Sequence, residues 1–423
     1  MKILVIHQYY LGEQAPGGSR FNEMARLWTE AGHQVTVIAG TIDYTSGRSA
    51  ARYAGRWITR EREGEVSVLR CYTPSTYANS YVGRAWAFFG FSLSSSWAAA
   101  RCPRPDVIIA TSPPLVTALP GFVASRLRWR RVPWIFEIRD LWPESAVTTG
   151  VLSATSPVTR LLYLLERWAC RSADRVNVLT PAFREDLLKR GLAGSEKIVF
   201  VPNGADSDVF SPGPRDNAVR RALGWGNRVV ALYAGAHGRA NALSQLVATA
   251  ELLATRGDVL IACVGDGPER KQLEEQVRRK HLTNIAFYGA QPKDRMPDFV
   301  NAADIGLAVL QNNVTFRTVY PNKVFDYMAC ARPVVLAIDG VARSLVCEQA
   351  RAGVFAEAEN PSAIAGALIR LADDPEARAE MGRNGRRWVL DNATRPVLAT
   401  RYLRIMHELT NGRAAASNTV EAE

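Results

Sequence analysis

The chain has 423 residues, of which 47% are apolar and 22% are charged. This length exceeds what one hydrophobic core accommodates, so two or three domains of ordinary globular composition are expected. The formal net charge of +11, from 52 basic and 41 acidic residues, favours phosphorylated ligands, nucleic acid or an anionic membrane face as partners. Six cysteines without CxxC pairs favour reduced thiols in a cytosolic protein.

The N-terminal segment follows a strand, helix, strand pattern. The apolar run at the start is too short for a signal peptide and predicts a first strand, Lys2–Gln8, so export is not expected. Gly17 and Gly18 precede a predicted helix that ends near Ala31, and Gln34–Ala39 predicts the next strand. This βαβ unit indicates a parallel sheet. The glycine pair suits a phosphate or carboxylate at a helix N-terminus, and a simple tight turn is the alternative interpretation.

The segment 81–100 is unusually apolar and aromatic. Its sixteen uncharged residues between Arg84 and Arg101 would form a helix of ~24 Å, shorter than the ~30 Å core of a bilayer, so a membrane span is not expected. Two interpretations remain, a core helix or a helix that lies half-immersed in a membrane face. A neighbouring run of arginine and tryptophan favours the second. The docking candidates are Trp86, Phe88, Phe89, Arg128, Trp129 and Arg130.

A strand predicted over Trp134–Ile138 ends in a charged turn. Ligands of open α/β sheets collect beyond the carboxyl ends of the strands. Arg139, Asp140 and Glu144 are therefore candidate site residues. A purely structural turn closed by Pro143 explains the same residues without a function.

In the second half, the stretch from Tyr320 to Val335 predicts a loop, a helix and a buried strand. Pro321 fits the first helical position, where its missing N–H is not needed. Lys323 and Asp326 share one face near that start, where free N–H groups and the helix dipole favour an anion such as phosphate. A surface ion pair is the alternative, although Lys before Asp is the weaker order for such a pair.

The alternation of strands and helices predicts an α/β protein with two Rossmann-like, doubly wound domains that face a central cleft. The predicted segments are a first domain at 1–205, a polar linker at 206–227, a second domain at 228–390, a helix at 391–411 that packs back toward the first domain, and a disordered tail at 412–423.

Several functional classes lack their sequence signatures. The chain has no GxxxxGK[ST] motif, and Gly265-x-Gly267 is not completed by a third glycine, which argues against a kinase or a nicotinamide dehydrogenase. Five histidines without ligand spacing argue against a zinc enzyme. Asp206 and Asp208 are a weak alternative as a metal site, since they follow an Asn-Gly turn. Zinc-finger spacing and RNP-like strands are also missing, so no nucleic-acid partner is expected.

Four motifs, taken in order, resemble those of a known family. They are Gly17-Gly18, Pro202-Asn203-Gly204-Ala205-Asp206, Gly265-Asp266-Gly267-Pro268 and Lys323-x-x-Asp326-Tyr327-Met328-Ala329. The chain resembles the family-four retaining glycosyltransferases of GT-B architecture. The stretches Glu137–Ser145 and Pro321–Ala329 are similar to those of bacterial members that add N-acetylaminosugars during O-antigen and capsule assembly.

The resemblance implies transfer of a sugar, without a metal or other cofactor, from a nucleotide diphosphate donor, with UDP as the expected nucleotide. The acceptor would be a lipid-linked sugar, and the enzyme would be cytoplasmic and peripherally bound at the inner face of the cytoplasmic membrane. Competing interpretations are a nucleotide-sugar epimerase on the same fold and a sugar-binding protein without chemistry.

The resemblance also implies roles for single residues. Asp326 would hold the ribose hydroxyls, and Lys323 and Arg239 the diphosphate. The implied donor-binding residues are Gly17, Gly18, Gly235, Arg239, Asn322, Lys323 and Asp326, and the catalytic candidates are Lys323, Arg239 and Asp140. The chain departs from the family where Thr318 replaces the first of two glutamates and where Arg139-Asp140 replaces a His-Asp pair.

Overall fold

The computed structural model describes residues 1–12, 20–43, 47–78, 81–127, 130–148 and 150–420, with residues 77, 78, 81 and 412–420 described by their backbone alone. The chain divides into two compact units. The N-terminal unit comprises Met1–Pro202 and the chain from Leu398 onward, and the C-terminal unit comprises Asn203–Val397.

The N-terminal unit is built on one mostly parallel sheet. Its described strands are β1 (Lys2–Ile6), β2 (Gln34–Gly40), β3 (Ile58–Glu63), β4 (Val66–Cys71), β5 (Val107–Ser112), β6 (Trp134–Ile138), β7 (Arg175–Val178) and β8 (Ile198–Phe200). They lie in the order β3-β4-β2-β1-β5-β6-β7-β8, with β3 antiparallel to β4 and the other pairs parallel. β1 pairs with β2 on one edge and β5 on the other, so the strand order reverses between β1 and β5.

The C-terminal unit repeats this plan with a smaller sheet. Its described strands are β9 (Val229–Ala234), β10 (Val259–Val264), β11 (Ile285–Phe287), β12 (Ile305–Val309), β13 (Val334–Ala337) and β14 (Gly353–Phe355). All are parallel and lie in the order β11-β10-β9-β12-β13-β14, the doubly wound order of dinucleotide-binding folds. The prediction of two Rossmann-like, doubly wound α/β domains is confirmed.

Helices flank both sheets. In the N-terminal unit they are α1 (Arg20–Glu30), α2 (Tyr81–Arg101), α3 (Ala118–Arg126), α4 (Glu144–Thr148), α5 (Pro157–Ser172) and α6 (Pro181–Lys189). In the C-terminal unit they are α7 (Ala218–Ala222), α8 (Ser244–Leu252), α9 (Arg270–Arg279), α10 (Met296–Ala302), α11 (Asn322–Ala329), α12 (Val341–Arg343), α13 (Pro361–Asp373) and α14 (Pro375–Asn392). The last helix, α15 (Arg395–Val420), continues into the tail that was predicted to be disordered from residue 412. Three consecutive alanines at 414–416 favour this helix.

Strands buried on both faces explain why the central strands read as continuous apolar runs. All six residues of β5 and all six of β10 are buried. Residues 206–227, predicted as a linker, contribute Phe210, Val219 and Trp225 to the buried core of the C-terminal unit. These three apolar side chains among turn residues anchor the segment.

A buried ionic network ties the C-terminal helix to the sheet of the N-terminal unit. Arg20 of α1 donates to both carboxylate oxygens of Glu137 on β6, at 3.3 and 3.2 Å. Asn177 of β7 and the hydroxyl of Tyr402 on α15 donate to the same carboxylate, at 2.8 and 2.9 Å. Arg20 and Glu137 are both almost fully buried. Because every oxygen of Glu137 has a donor, the charge is tolerated inside the unit.

Within the described ranges, no helix is both long enough and apolar enough to cross a membrane. The six cysteines are free thiols, and five of them are buried.

Candidate functional site

The carboxyl ends of β9 and β12 form the topological switch point of the C-terminal unit. β9 pairs with β10 on one edge and with β12 on the other. Gly235 directly follows β9, and α11 follows β12. Ligands of doubly wound sheets bind at such a point, where the loops leave the sheet in opposite directions.

Two glycines let the loops after β9 and β10 approach each other closely. Gly235 and Gly265 have φ values of 152° and 139°, which L side chains rarely adopt. A Cβ at Gly265 would lie 1.9 Å from the carbonyl oxygen of Gly235, so no larger residue fits there. Because neither glycine has a side chain, a ligand can come close to the backbone of these two loops.

Tyr327 fixes α11 at this point. Its hydroxyl accepts a hydrogen bond from the Ala234 N–H at the end of β9, at 2.8 Å, and donates to the Leu307 carbonyl oxygen of β12, at 3.3 Å. The ring is fully buried. α11 begins at Asn322, with Pro321 as the residue before it, one position later than the sequence predicted. Its N-terminus therefore lies over the switch point.

Lys323, in the first turn of α11, holds an ammonium group in an unusual environment. Its Nζ is shielded from solvent and has no hydrogen-bond partner among the described residues. It lies 3.7 Å from the centroid of the Tyr233 ring, and a Cβ on Gly235 would lie 3.0 Å from it. Burial lowers the pKa of Lys323 to about 7, a shift that the nearby Cys263 thiol opposes. The amino group therefore lacks an anion among the described residues, and its charged form is destabilised.

His237 belongs to the loop that follows β9 and is fully buried. Its ring packs edge-on against Phe287, with centroids 5.5 Å apart, and both ring nitrogens lack partners among the residues that the structure describes. Burial, helped by the charge of Arg270, lowers the pKa of His237 to about 4, so the ring is neutral at pH 7. It supports the loop and is not a cation for a ligand.

The other predicted donor-site residues are distributed around this point. Asn322 is exposed, and Asp326 is half-buried on α11. Arg239 is exposed in a 3₁₀ turn, and no hydrogen bond or ion pair joins its side chain to the described part of the chain. Its role stays a prediction. Gly17 and Gly18 lie outside the described residues.

The N-terminal unit has a comparable cluster at its own switch point, between β1 and β5. His7 follows β1 and is buried, and its Nε2 lies 3.1 Å from Nη1 of Arg139. Because a guanidinium only donates, Nε2 accepts and the ring proton sits on Nδ1. Burial, with the charge of Arg139 next, lowers the pKa of His7 well below its usual value. His7 is therefore a neutral acceptor that orients Arg139.

Several buried polar atoms of this cluster have no hydrogen-bond partner among the described residues, which marks it as more than a packed core. They belong to the side chains of Gln8, Thr111 and Ser112 and to Nδ1 of His7. Native cores rarely leave such atoms unpaired, so a polar ligand is a natural partner. Sequence reasoning missed His7, Gln8 and Ser112. Their position directly at the ends of strands was visible, but the switch point became known only with the strand order.

Asp140 and Glu144, both predicted site residues, are held by neighbours. Asp140 accepts from the Ser145 hydroxyl at 2.8 Å, and burial raises the pKa of Asp140 while this hydrogen bond opposes the rise. Glu144 accepts from the hydroxyl of Tyr163 on α5. Asp140 remains close in sequence to the Arg139 cluster, whereas Glu144 has its carboxylate engaged on α5.

The predicted docking helix exposes an apolar stripe. Trp86 and Phe89 are 55% and 52% exposed, and their rings stack with centroids 5.6 Å apart. Phe88 is half-buried, so it contributes less than the sequence suggested. Val82, Leu93 and Trp97 extend the exposed stripe along α2. Arg130 is exposed, and Arg128 and Trp129 lie outside the described residues.

In the part of the chain that the structure describes, no group of three or more His, Cys, Asp or Glu side chains is placed to hold a metal ion.

Comparison with known families gives two matches that follow the two units. A glycosyl transferase 4-like domain matches residues 17–204, and a domain of the glycosyl transferases group 1 matches residues 216–388.

Similar proteins support the same grouping. The putative colanic acid biosynthesis glycosyl transferase WcaI of Escherichia coli K12 is 27% identical, over 80% of this chain and 84% of its own. The probable glycosyltransferase WbjE of Pseudomonas aeruginosa is 25% identical, over 71% and 74% of the two chains. Among solved structures, Anabaena HepE in complex with UDP-glucose has a TM-score of 0.71 at 18% identity and covers 96% of this chain and 100% of its own. This last likeness concerns the fold.

Proposed function

Because the chain belongs to the GT-B glycosyltransferases that combine a glycosyl transferase 4-like domain with a group 1 domain, we propose that it moves a sugar from a UDP-sugar to a lipid-linked sugar in surface polysaccharide assembly. The sugar is an N-acetylaminosugar, and its anomeric configuration is retained. The names of the two bacterial relatives and the UDP-glucose complex of HepE support the pathway and the donor.

The observation that carries the proposal is the buried amino group of Lys323 at the C-terminal switch point, which has no hydrogen-bond partner among the described residues. A diphosphate seated over Gly235 would supply the missing anion to this group and would face the N-terminus of α11. Arg239 adds a second cation from the exposed turn. Asp326 accepts hydrogen bonds from the ribose hydroxyls. As the sugar leaves, negative charge grows on the β-phosphate, and these preorganised groups stabilise it.

No metal or other cofactor is needed in this mechanism, because Lys323 and the helix N–H groups provide the positive charge near the diphosphate. Activity in the presence of EDTA tests this point. Loss of activity that Mg²⁺ or Mn²⁺ restores would overturn it.

The features that favour a lipid-linked acceptor are those of α2 and the residues around it. Between residues 66 and 136 the sequence has eight arginines and one acidic residue, Asp106, a local charge of +7. The exposed stripe with Trp86 and Phe89 lies within this region. Aromatic rings beside arginines suit the interface of an anionic membrane, where a lipid-linked acceptor resides. The enzyme then works at the cytoplasmic face of that membrane.

A two-step experiment tests the function. First, UDP-, GDP- and ADP-sugars are screened for thermal stabilisation of the full chain, since a ligand of the native state raises the melting temperature. Second, the stabilising donor is incubated with lipid-linked sugars, and the anomeric configuration of the product is determined by NMR. We expect UDP-N-acetylaminosugars to stabilise and to be consumed with retention. Consumption without an acceptor, giving an epimerised nucleotide-sugar, would contradict the proposal.

A further inference from the structure

The N-terminal unit contains a cavity whose lining includes neither His7 nor Arg139. It has a volume of about 220 Å³ and lies beside the residues that follow β1 and β2, with Arg70 of β4 in its wall. These three strands are neighbours, and their carboxyl ends face the cavity. This volume is many times the ~10–15 Å³ that one water molecule requires, so a small organic ligand can enter the cavity.

The wall combines aromatic rings with arginines. Tyr9, Tyr10 and Tyr53 supply rings, and Arg48, Arg52 and Arg70 supply positive charge. Asp43 also lines the wall, and Glu61 and Glu63 form ion pairs with Arg52 and Arg70, so the charges of these two arginines are largely compensated and anion binding depends on the N–H donors that stay unengaged. We name this site the Tyr-Arg cavity.

Arg70 shapes the cavity, and four of its five N–H donors are engaged within the protein. Its guanidinium donates to the Tyr10 and Leu11 carbonyl oxygens, at 2.6 and 3.1 Å, and to Glu61 and Glu63, at 3.1 and 2.9 Å. The side chain is 5% exposed. Arg70 is therefore a positioning residue that holds the turn after β1 in place.

Arg52 is the cation that remains available. Its Nη2 donates to the Tyr53 hydroxyl at 2.7 Å, and its Nε lies 3.5 Å from Glu61. Within the described ranges its Nη1 has no partner, and the side chain is 65% exposed. The guanidinium is held 4.9 Å from the Tyr53 ring centroid, so it is already oriented. A Cβ on Gly12 would lie 4.0 Å from Arg52 and 3.9 Å from Arg70, so both guanidinium groups border the space beside Gly12.

From this arrangement we propose that the Tyr-Arg cavity binds a sugar of the acceptor that carries an anionic group, a carboxylate or a phosphate. The tyrosine rings contact the apolar face of the sugar, and Arg52 contacts the anion. This inference rests on the proposed function, since it names the chemical class of the acceptor. Such an acceptor requires an earlier reaction that oxidises a sugar to a uronic acid or phosphorylates it, before or after that sugar joins the glycan.

Binding of free monosaccharides to the full chain tests the inference. Saturation-transfer NMR titrations use glucuronic acid, glucose 6-phosphate, glucose and inorganic phosphate, each at low and high NaCl. We expect at least one of the two acidic sugars to bind at least tenfold more tightly than glucose and than inorganic phosphate, and high salt to weaken it. The acidic sugar that binds more tightly identifies the carboxylate or the phosphate as the anion. Equal binding of glucose, or of phosphate without a sugar, would overturn the inference.

Substitutions place the binding in the cavity. Arg52→Gln should lower the affinity for the acidic sugar at least tenfold. Arg56→Gln is the matched control, because it removes the same charge from an exposed arginine that is not in the wall, and it should leave affinity unchanged. Gly12→Leu fills the space between Arg52 and Arg70 without altering charge and should abolish binding. Equal effects of Arg52→Gln and Arg56→Gln would contradict the assignment.

The same samples separate this inference from the proposed function. UDP binding is measured in each variant, and Arg52→Gln should leave it intact because the C-terminal unit is unchanged. If acidic sugars bind but no donor sugar is transferred, the proposed function fails and the cavity stands. If transfer to a lipid-linked acceptor occurs and is insensitive to Arg52→Gln, the function stands and the cavity assignment fails.

Discussion

The ammonium of Lys323 rests 3.7 Å from the centroid of the Tyr233 ring, with no carboxylate or carbonyl oxygen of the described residues bonded to it. A buried cation held only by an aromatic face is costly, because the ring replaces little of the lost hydration. Such an arrangement is expected where a ligand completes the site. We therefore expect the side chain to leave the ring and meet the donor diphosphate on binding.

Replacement of Lys323 by Ala should lower turnover by ~100-fold or more, as the loss of a preorganised charge stabiliser does. The measurement is the initial rate of sugar transfer at saturating donor and acceptor. Lys271→Ala, on α9 of the same unit, is the control for a lost positive charge. Turnover of Lys323→Ala within a few fold of the wild type would contradict the assigned role.

Lys323 should lower the stability of the folded protein, although the proposed function requires it. The folded-state pKa of Lys323, about 7, lies below the ordinary lysine value of 10.5. The folded protein thus binds fewer protons between these two values, and ionisation of Lys323 destabilises it as the pH falls from about 10.5 towards 7. Lys323→Met should raise the free energy of unfolding at pH 8 by about 1–3 kcal/mol.

Thermal melting of Lys323→Met and of the wild type at several pH values checks this. The stability that Lys323→Met gains over the wild type should shrink as the pH approaches and passes 10.5, where the wild-type lysine becomes neutral in the unfolded as well as the folded state. A variant that melts at a lower temperature than the wild type at pH 8 would show that Lys323 stabilises the fold.

Much of the fold could be predicted from the sequence, because buried parallel strands read as short apolar runs separated by helical periods. The edge strand β3 was missed. Its sequence Ile58–Glu63 ends in four consecutive charged residues, which suits a strand at the edge of a sheet but resembles a loop in the absence of its neighbour β4. The turn-rich residues 206–227 concealed a buried Trp225 in the same way.

The candidate site was predictable only where one local segment carries it. Lys323 could be singled out because the start of α11 is a local signal. The cluster of His7, Ser112 and Arg139 could not, since three segments meet there through a strand order that the sequence does not state. The burial of the Lys323 ammonium also depends on Tyr233 and Gly235, almost ninety residues away.

The exposed stripe on α2 should mediate attachment to anionic vesicles. Trp86→Ser combined with Phe89→Ser removes the stacked pair and should reduce co-sedimentation with phosphatidylglycerol vesicles at least fivefold, and salt should weaken the wild type. Leu252→Ser, which removes a side chain that is 54% exposed on α8 of the C-terminal unit, is the control. Unchanged sedimentation of the double variant would remove the membrane role of α2.

The buried network around Glu137 should matter far more than a surface ion pair. Glu137→Ala strands Arg20 without its partner and should cost about 3–5 kcal/mol. Glu30→Ala breaks the exposed pair with Arg26 and should cost at most about 1 kcal/mol. Hydrogen exchange of the β6 and α15 amides under native conditions measures the loss of stability in both variants. Similar exchange in the two variants would show that Glu137 does not anchor α15.

The most direct test of the role of Lys323 is proton uptake when UDP binds. At pH 8 the lysine of the free protein is mostly neutral, because its pKa is about 7, and a diphosphate beside it should raise that pKa and protonate it. Calorimetric titrations with UDP in buffers of different ionisation enthalpy should show uptake of close to one proton at pH 8. Lys323→Met should bind UDP more weakly and take up none. UDP binding without proton uptake, or equal uptake in Lys323→Met, would show that Lys323 does not hold the diphosphate.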